Sequence, residues 1–412
     1  MNSSLPRTLI VAPASPASRH AGSPFIQAML GAAPGRFVWL VVNGPSLPPR
    51  VEQTPMLSFT PLSRRALAQA NPWAWLQQRA LVRAHRLLGR DRYRSFADLW
   101  SVLFDGPDFA RQLKTLCVAH QIEVIWFILE SHEFTGLFAL RDLLEGEGPR
   151  VILNLHDPPL RLLERGCELA SWLRPIFRRR LRQALQRCAA VAVASPEMAR
   201  HYGCSGAEVL IHGHPLDQIR PPARRPKDPN RLCIGFVGTL YARQSWQRLL
   251  AALDEVDWKL PGRRVEIVFI GDDSKLPKQE LVGRPIRLTG WLSTRECLEQ
   301  LEHCDVGYLP YWFDQAEWVE VCFPSKVTSY LAAGIPVLYH GPRHSTPDQF
   351  LSQYPAGLCC PSLDAAEIRA ALEQLLQPGA YAEYARQSHR AAVEQFNLEE
   401  FQLRVRRLLG CP

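Results

Sequence analysis

Two series of short apolar segments, each separated by stretches long enough for a helix, constrain the fold more than any other feature of this chain. Each segment is apolar at nearly every position, which is typical of strands buried on both faces of a parallel sheet. Helices are then expected on both faces of that sheet. The first series predicts strands at Thr8–Ala12, Phe37–Val42, Glu123–Leu129, Arg150–Leu155 and Ala189–Ala194.

A second series follows Arg220–Arg231, a stretch with four prolines and no apolar periodicity that predicts a linker. Its predicted strands are Leu232–Val237, Val265–Ile270, Ile286–Leu288, Val306–Pro310 and Pro336–Tyr339. Its predicted helices are Trp246–Leu253, Arg295–His303, Lys326–Ala333, Ala365–Leu376 and Tyr381–Leu409, the last interrupted near Asn397.

The pattern predicts an α/β chain with two Rossmann-like, doubly wound domains that face a cleft. The predicted boundaries are 1–218 for the first domain, 219–231 for the linker, 232–395 for the second domain and 396–412 for a closing helix. Apolar residues recur through that last segment at helical spacing, so we expect it to cross back and cover part of the first domain. A ligand would bind at the carboxyl ends of the strands.

Composition excludes several classes of protein. Apolar residues make up 47% of the chain and charged residues 21%, which excludes disorder of the whole chain. Apolar runs stay below the ~18–20 residues of a membrane-spanning helix, and the start lacks the apolar region of a signal peptide. The 11 cysteines are odd in number and form no CxxC pair. We therefore expect a cytoplasmic protein.

Arginine is concentrated in two segments of a chain whose formal net charge is +8. Residues 61–100 contain eight arginines beside Trp73 and Trp75, and residues 161–187 contain eight more. A basic, partly aromatic helical surface suits anionic lipid headgroups or nucleic acid. The alternative is a solvated helical face. A nucleic-acid partner is not expected, because no recognised nucleic-acid motif is present.

Several stretches of the chain resemble one enzyme family. The second half contains GFVGTLYARQSWQRLLAAL, VEIVFIGDD, IRLTGWLSTRECLEQLEHCDVGYLPY and FPSKVTSYLAAGIPVL, and the first half contains VILNLHDPP and AVAVASPEMARHYG. These resemble GT-B glycosyltransferases, especially the retaining family 4 group. The resemblance implies a nucleotide-sugar-binding second domain, an acceptor-side first domain, and a bacterial-type role in polysaccharide or glycoconjugate biosynthesis. The resemblance is close over about residues 150–390 and loose over residues 1–150.

The resemblance also implies donor-binding residues. At the strand end Gly238–Thr239, small residues let backbone N–H groups approach a diphosphate, and in the family the second strand-end turn, here at Gly271, lines the base pocket. The family follows the first of these turns with a basic residue, where this chain has Gln244 preceded by Arg243, and the family has a glutamate where this chain has Ser329. The implied donor-binding residues are Gly238, Thr239, Arg243, Gln244, Gly271, Asp272, Pro324, Ser325, Lys326 and Ser329.

Residues of the first half are candidates for catalysis and for the acceptor side. His156 and Asp157 follow a predicted strand, and in the resembled enzymes such a histidine touches the donor sugar or phosphate. A structural role for His156 stays open. Acceptor-side candidates are Glu130, His132, Glu133 and Gly22. The adjacent carboxylates Asp272 and Asp273 suggest a metal site, but the resemblance implies none.

The resemblance thus implies a glycosyltransferase that moves a sugar from a nucleoside-diphosphate donor to a glycan, lipid-linked or small-molecule acceptor. The donor is a co-substrate, and neither a cofactor nor a metal is expected. The alternative is a non-catalytic GT-B-like partner of another glycosyltransferase, which the departures at Gln244 and Ser329 favour. Peripheral contact with an anionic membrane at the inner face is the further expectation.

Overall fold

Apolar strands form two largely parallel sheets in the computed structural model. It describes residues 5–12, 23–42, 50–51, 54–59, 101–129, 134–145, 147–159, 171–224, 226–314 and 316–410. The chain divides into two units that each take residues from distant parts of the sequence. Unit 1 comprises Met1–Ser18, Met29–Leu210 and Arg404–Pro412, and unit 2 comprises Arg19–Ala28 and Ile211–Leu403.

Unit 1 contains an eight-stranded sheet with the order β3-β4-β2-β1-β5-β6-β7-β8. The strands are β1 (Thr8–Ala12), β2 (Phe37–Val42), β3 (Arg50–Val51), β4 (Thr54–Phe59), β5 (Val124–Leu129), β6 (Arg150–Leu155), β7 (Ala190–Val193) and β8 (Glu208–Val209). Apart from the antiparallel β3–β4 pair, neighbours run parallel. Every residue of β1, β2 and β5 is buried, as their continuous apolar sequences predict.

Helices connect these strands. The described α-helices before residue 211 are α1 (Ser23–Ala32), α2 (Gly106–Ala119), α3 (Phe134–Leu144), α4 (Arg174–Arg187) and α5 (Pro196–Tyr202). Ser195 caps α5 by accepting a hydrogen bond from Met198 N at 2.9 Å, and Pro196 occupies the first turn. This confirms the predicted helix start after β7.

Unit 2 contains a seven-stranded sheet with the order β10-β11-β9-β13-β14-β15, in which β12 also pairs with β11. The strands are β9 (Arg231–Val237), β10 (Lys259–Leu260), β11 (Arg263–Ile270), β12 (Ile286–Gly290), β13 (Val306–Pro310), β14 (Val337–His340) and β15 (Gly357–Cys360). All pairs are parallel except β10–β11. The carboxyl ends of β9, β11 and β12 therefore meet at one edge of the sheet.

The helices of unit 2 pack on both faces of this sheet around two apolar clusters. They are α6 (Arg243–Asp254), α7 (Thr294–Leu301), α8 (Ala316–Val321), α9 (Lys326–Ala332), α10 (Thr346–Gln353), α11 (Ala365–Leu375), α12 (Pro378–Glu394) and α13 (Leu398–Leu408). The predicted α/β class with two doubly wound sheets is confirmed. The predicted linker residue Arg220 is bound to unit 2, since its N–H donates to Ala332 O at 2.7 Å.

Helix α13 begins in unit 2 and ends in unit 1. Within unit 1, Arg406 Nε donates to Ala32 O at 2.9 Å and Arg404 Nη1 donates to Val209 O at 3.2 Å. Arg150 Nη1 also lies 3.5 Å from Leu409 O. The end of the chain is thus fastened to unit 1 by charge-assisted hydrogen bonds to backbone carbonyls.

No helix in the part of the chain described here is long and apolar enough to cross a membrane.

Candidate functional site

Three glycines end the neighbouring strands β9, β11 and β12. Gly238, Gly271 and Gly290 have φ angles of +87°, +135° and +69°, a region that favours glycine. Gly238 N donates to Ile270 O at 2.7 Å, and Gly271 N donates to Gly290 O at 3.0 Å. A Cβ at Gly271 would lie 2.6 Å from Gly238 O. The backbones at Gly238 and Gly271 therefore lie too close together for any side chain at position 271.

A cavity of about 110 Å³ opens beside these strand ends within unit 2. It is lined mainly by apolar groups, with lysine, histidine and hydroxyl side chains among them. The lining residues are Pro24, His212, His214, Val237, Gly238, Tyr241, Ile270, Gly271, Trp291, Leu292, Thr294, Cys297, Ser325, Lys326 and Ser329. An apolar cavity with a few convergent polar groups is the usual form of a small-molecule site.

Lys326, the first residue of α9, supplies a positive charge to the cavity. Its Nζ donates to Thr239 O at 3.0 Å and lies 4.4 Å from the ring centroid of Phe236 and 4.6 Å from that of Tyr241. Burial lowers the pKa of the Lys326 ammonium to about 7. An anion in the cavity would favour the charged form, so this group is suited to binding phosphate.

A buried tyrosine fixes α9 against the strand ends. The Tyr330 hydroxyl accepts a hydrogen bond from Val237 N at 3.0 Å and donates one to Tyr308 O at 2.8 Å. Tyr330 is fully buried, and burial raises its hydroxyl pKa well above the ordinary value, so it stays neutral. The helix that carries Lys326 is thus held at a defined distance from Gly238.

Two partly exposed aromatic rings border the cavity. Tyr241 is 41% exposed, and its ring lies 5.8 Å from that of Trp312. Trp291, directly after β12, is 39% exposed. Large rings at a cavity mouth offer stacking surfaces for a planar base or a sugar. The sequence prediction did not include Tyr241 or Trp291, although both lie within stretches that resemble the family.

Ser329 lies beside a histidine that sequence reasoning also missed. Ser329 Oγ is 3.4 Å from Nε2 of His214, and His214 is 1% exposed. Burial lowers the pKa of His214 to about 4, so its imidazole is neutral at pH 7. Only the three-dimensional pairing of the segment at 214 with α9 reveals this contact.

Five of the predicted donor-binding residues do not line the cavity: Thr239, Arg243, Gln244, Asp272 and Pro324. Thr239 reaches the site through its carbonyl, which accepts from Lys326. Arg243 Nη2 lies 3.4 Å from Glu280 Oε1, which also accepts from Gln247. Gln244 is exposed, Pro324 is half-buried, and Asp272 accepts a hydrogen bond from Ser274 N at 3.0 Å. Arg243 is thus paired with a carboxylate in this structure.

The catalytic candidates His156 and Asp157 belong to unit 1. His156 and Asp157 directly follow β6 and are half-buried. The acceptor-side candidates Glu130, His132, Glu133 and Gly22 lie outside the described residues. Within the described residues, no group of three or more His, Cys, Asp or Glu side chains is placed to hold a metal ion.

Comparison with known proteins agrees with this geometry. Residues 231–378 match the family model described as "Glycosyl transferases group 1". This range includes the three glycine strand ends and α9. The chain has the GT-B glycosyltransferase fold. The predicted likeness to GT-B glycosyltransferases of the family 4 type is confirmed. No curated protein gives a significant match.

Solved structures resemble the chain over nearly its whole length. Sucrose-phosphate synthase from Thermosynechococcus elongatus has a TM-score of 0.65 at 14% identity, with 98% of each chain covered. HepE of Anabaena, solved with UDP and glucose, has a TM-score of 0.63 at 13% identity, covering 98% of this chain and 99% of that one. WaaG, a glycosyltransferase of lipopolysaccharide biosynthesis, has a TM-score of 0.59 at 10% identity, covering 98% of this chain and 99% of that one.

Proposed function

We propose that the protein transfers a sugar from a nucleoside-diphosphate-sugar donor to a glycan, lipid-linked or small-molecule acceptor. The observation that carries this proposal is the Lys326 ammonium, which lies beside the closely packed strand ends at Gly238 and Gly271 in the wall of an apolar cavity. HepE, solved with UDP-glucose, supports a uridine nucleotide as the first donor to test.

In this proposal the cavity residues act on the leaving group. The Lys326 ammonium neutralises the charge that develops on the diphosphate as the glycosidic bond breaks, in a site with little water. The apolar wall formed by Trp291, Leu292 and Cys297 receives the base. His156 of unit 1 is the proposed catalytic histidine. No metal is part of the proposed reaction.

The test is a screen of nucleotide-sugars by thermal shift, followed by an assay for released nucleoside diphosphate in the presence of EDTA. A donor present at about 100 times its Kd stabilises the protein by about 2.7 kcal/mol. We expect a raised Tm with one class of nucleotide-sugar and release that continues in EDTA. Lys326→Met serves as the low-binding control. The absence of any Tm rise would contradict the proposal.

The second candidate is a non-catalytic GT-B-like partner of another glycosyltransferase. The Arg243–Glu280 ion pair and the serine at position 329 favour it, because both remove charged groups that the family uses for the donor. This candidate predicts weak or no stabilisation by nucleotide-sugars and no release of nucleoside diphosphate with any acceptor tested.

We further propose that unit 1 contacts an anionic membrane through α4, which would give access to a lipid-linked acceptor at the inner face of a cytoplasmic membrane. Arg179 and Arg182 of α4 are exposed together with Ile176, and Trp172, two residues before the helix, is 45% exposed. Basic residues beside exposed apolar side chains are typical of helices that lie in the membrane interface. Residues 60–100 and 160–170, which contain the first arginine-rich segment together with Arg161 and Arg165, lie outside the described residues.

Liposome co-sedimentation tests this contact. Each basic residue near an anionic surface contributes about 1 kcal/mol, and salt screens the attraction. We therefore expect pelleting with phosphatidylglycerol-containing vesicles at low salt, and less with the double variant Arg179→Ala/Arg182→Ala. The matched control Arg386→Ala/Arg390→Ala changes exposed arginines on α12 of unit 2. Equal pelleting with neutral and anionic vesicles would contradict the proposal.

A further inference from the structure

A small cavity of unit 1 lies between α3 and α4 and has a volume of about 50 Å³. Most of its lining comes from the later turns of these two helices. Helix α3 leads into the start of β6 and α4 leads into the start of β7, whereas His156 follows the end of β6. The cavity therefore lies towards the edge of the sheet at which these strands begin, and the reaction proposed above does not use it.

Three arginines line this cavity against one carboxylate. The arginines are Arg141, Arg180 and Arg187, and the carboxylate is Glu145. Glu145 oxygens lie 3.5 Å from Arg141 Nε and 4.0 Å from Arg187 Nη1, and Asp142, outside the lining, is 3.4 Å from Arg141 Nε. These separations exceed those of charge-assisted hydrogen bonds, and each guanidinium has five N–H donors. The arginines therefore retain donors for a further acceptor.

Arg180 is the arginine whose position has no other explanation. Arg141 and Arg187 are in the last turns of their helices, where the helix dipole favours a cation. Arg180 lies two turns before the end of α4. Its Nη1 donates to Gln183 Oε1 at 3.2 Å, and it forms no ion pair with any residue that the structure describes. A neutral amide thus orients its charge at the cavity without neutralising it.

Helix α4 as a whole lacks counter-charges. Its sequence, RPIFRRRLRQALQR, contains six arginines and no acidic residue. Like charges four positions apart on a helix, such as Arg178 and Arg182, repel each other. An anion bound against this helix would reduce that repulsion. The composition of α4 therefore favours an anionic ligand independently of the cavity.

The dimensions and donors of the cavity select the kind of anion. Its floor contains the buried side chains of Leu137 and Ala184, so it has room for one small group. A phosphate monoester carries a charge of about −1.5 to −2 at pH 7 and three terminal oxygens that accept strong hydrogen bonds. Guanidinium groups match such oxygens in paired N–H···O contacts. A phosphodiester has less charge and fewer free oxygens.

We infer that the cavity between α3 and α4 binds a phosphate monoester through Arg141, Arg180 and Arg187. This site lies outside the donor cavity of unit 2, so the inference does not depend on the proposed function. Such a group occurs in soluble phosphorylated compounds and in lipids with a terminal phosphate. A lipid would also meet the exposed side chain of Ile176, which precedes Arg180 by four residues on the same face of α4.

The first arm of the test titrates glycerol 3-phosphate into the protein by calorimetry, with glycerol as the blank. It uses both the unchanged protein and Lys326→Met, so that binding in the unit 2 cavity is not counted. We expect Lys326→Met to bind, and the addition of Arg180→Gln to weaken binding about tenfold, because a charge-assisted contact is lost. Arg179→Gln is the matched control, since it removes the same charge from α4 at a position that does not line the cavity.

The second arm compares sedimentation with vesicles that contain phosphatidic acid, a monoester, or phosphatidylglycerol, a diester. The mole fractions are adjusted to give equal zeta potentials. A lipid source predicts more pelleting with phosphatidic acid. Arg180→Gln should remove this preference, whereas Arg179→Gln should lower pelleting with both lipids and keep the preference.

The outcomes decide between the sources and test the site. A response in the first arm alone identifies soluble phosphate as the ligand, and a preference for phosphatidic acid identifies a lipid. Absence of binding in both arms, or no effect of Arg180→Gln in either, overturns the inference. Equal losses from Arg180→Gln and Arg179→Gln show only a general positive field and also overturn it. Arg187→Gln repeats the test at a second arginine if Arg180→Gln does not fold. None of these failures bears on nucleotide binding at Lys326.

Discussion

Lys326→Met is expected to weaken the binding of the nucleotide-sugar donor by about ten- to a hundredfold, because a charge-assisted hydrogen bond contributes about 1.5–3 kcal/mol. Methionine keeps an unbranched chain of similar length between Phe236 and Tyr241, so the packing changes little. Lys259→Met is the matched control, since Lys259 is exposed and pairs with Asp257. Unchanged affinity of Lys326→Met for every nucleotide tested would contradict the assignment.

The same residue should make donor binding depend on pH. In the free protein the pKa of Lys326 is about 7, and the bound diphosphate raises it. Below pH 7 the ammonium is already charged, so affinity is highest and constant. Above pH 7 binding must take up a proton, so affinity falls by up to about tenfold per pH unit. UDP-glucose suits this measurement because it lacks a terminal phosphate, whose second pKa is about 6. Lys326→Met should show no such slope.

Gly271→Ala is expected to destabilise unit 2 by about 3 kcal/mol or more and to abolish donor binding. The new Cβ would lie 2.6 Å from Gly238 O and 2.9 Å from Gly238 N and Cα. These atoms are backbone, and Gly238 N is bonded to Ile270 O, so relief of the overlap must separate two strand ends.

Gly262→Ala is the matched control for this variant. Gly262 also has a positive φ of +73°, but a Cβ there would meet no atom within 4 Å. It should therefore cost only the conformational strain of the left-handed region, about 1 kcal/mol. Urea unfolding of both variants measures the difference. Equal midpoints would mean that the close approach of Gly271 to Gly238 does not constrain the fold.

The sequence predicts those elements whose physical signal is local. Strand β13 was predicted at its observed bounds, Val306–Pro310, because a strand buried on both faces is apolar throughout. Strand β15, Gly357–Cys360, was not predicted, since four residues with a glycine carry little strand signal and the pairing with β14 decides the matter. Local pattern is sufficient for central strands and insufficient for short edge strands.

The same distinction applies to the site. Lys326 was predicted because it begins a helix within a stretch that resembles the family, and the structure places it in the cavity wall. The pairing of Arg243 with Glu280 joins residues 37 positions apart, and that of His214 with Ser329 joins residues 115 apart. Neither pairing follows from local spacing, because partners at such separations are brought together only by the complete sheet of unit 2.

The division of the chain between the units also bears on synthesis at the ribosome. Unit 1 includes residues Arg404–Pro412, although most of it precedes Ile211. Domains generally fold as they emerge, amino-terminal part first. Here the carbonyls of Val209 and Ala32 lack their donors Arg404 and Arg406 until the whole second unit has been translated. We therefore expect nascent chains released before Arg404 to hold an incomplete first unit and to depend on chaperones during that interval.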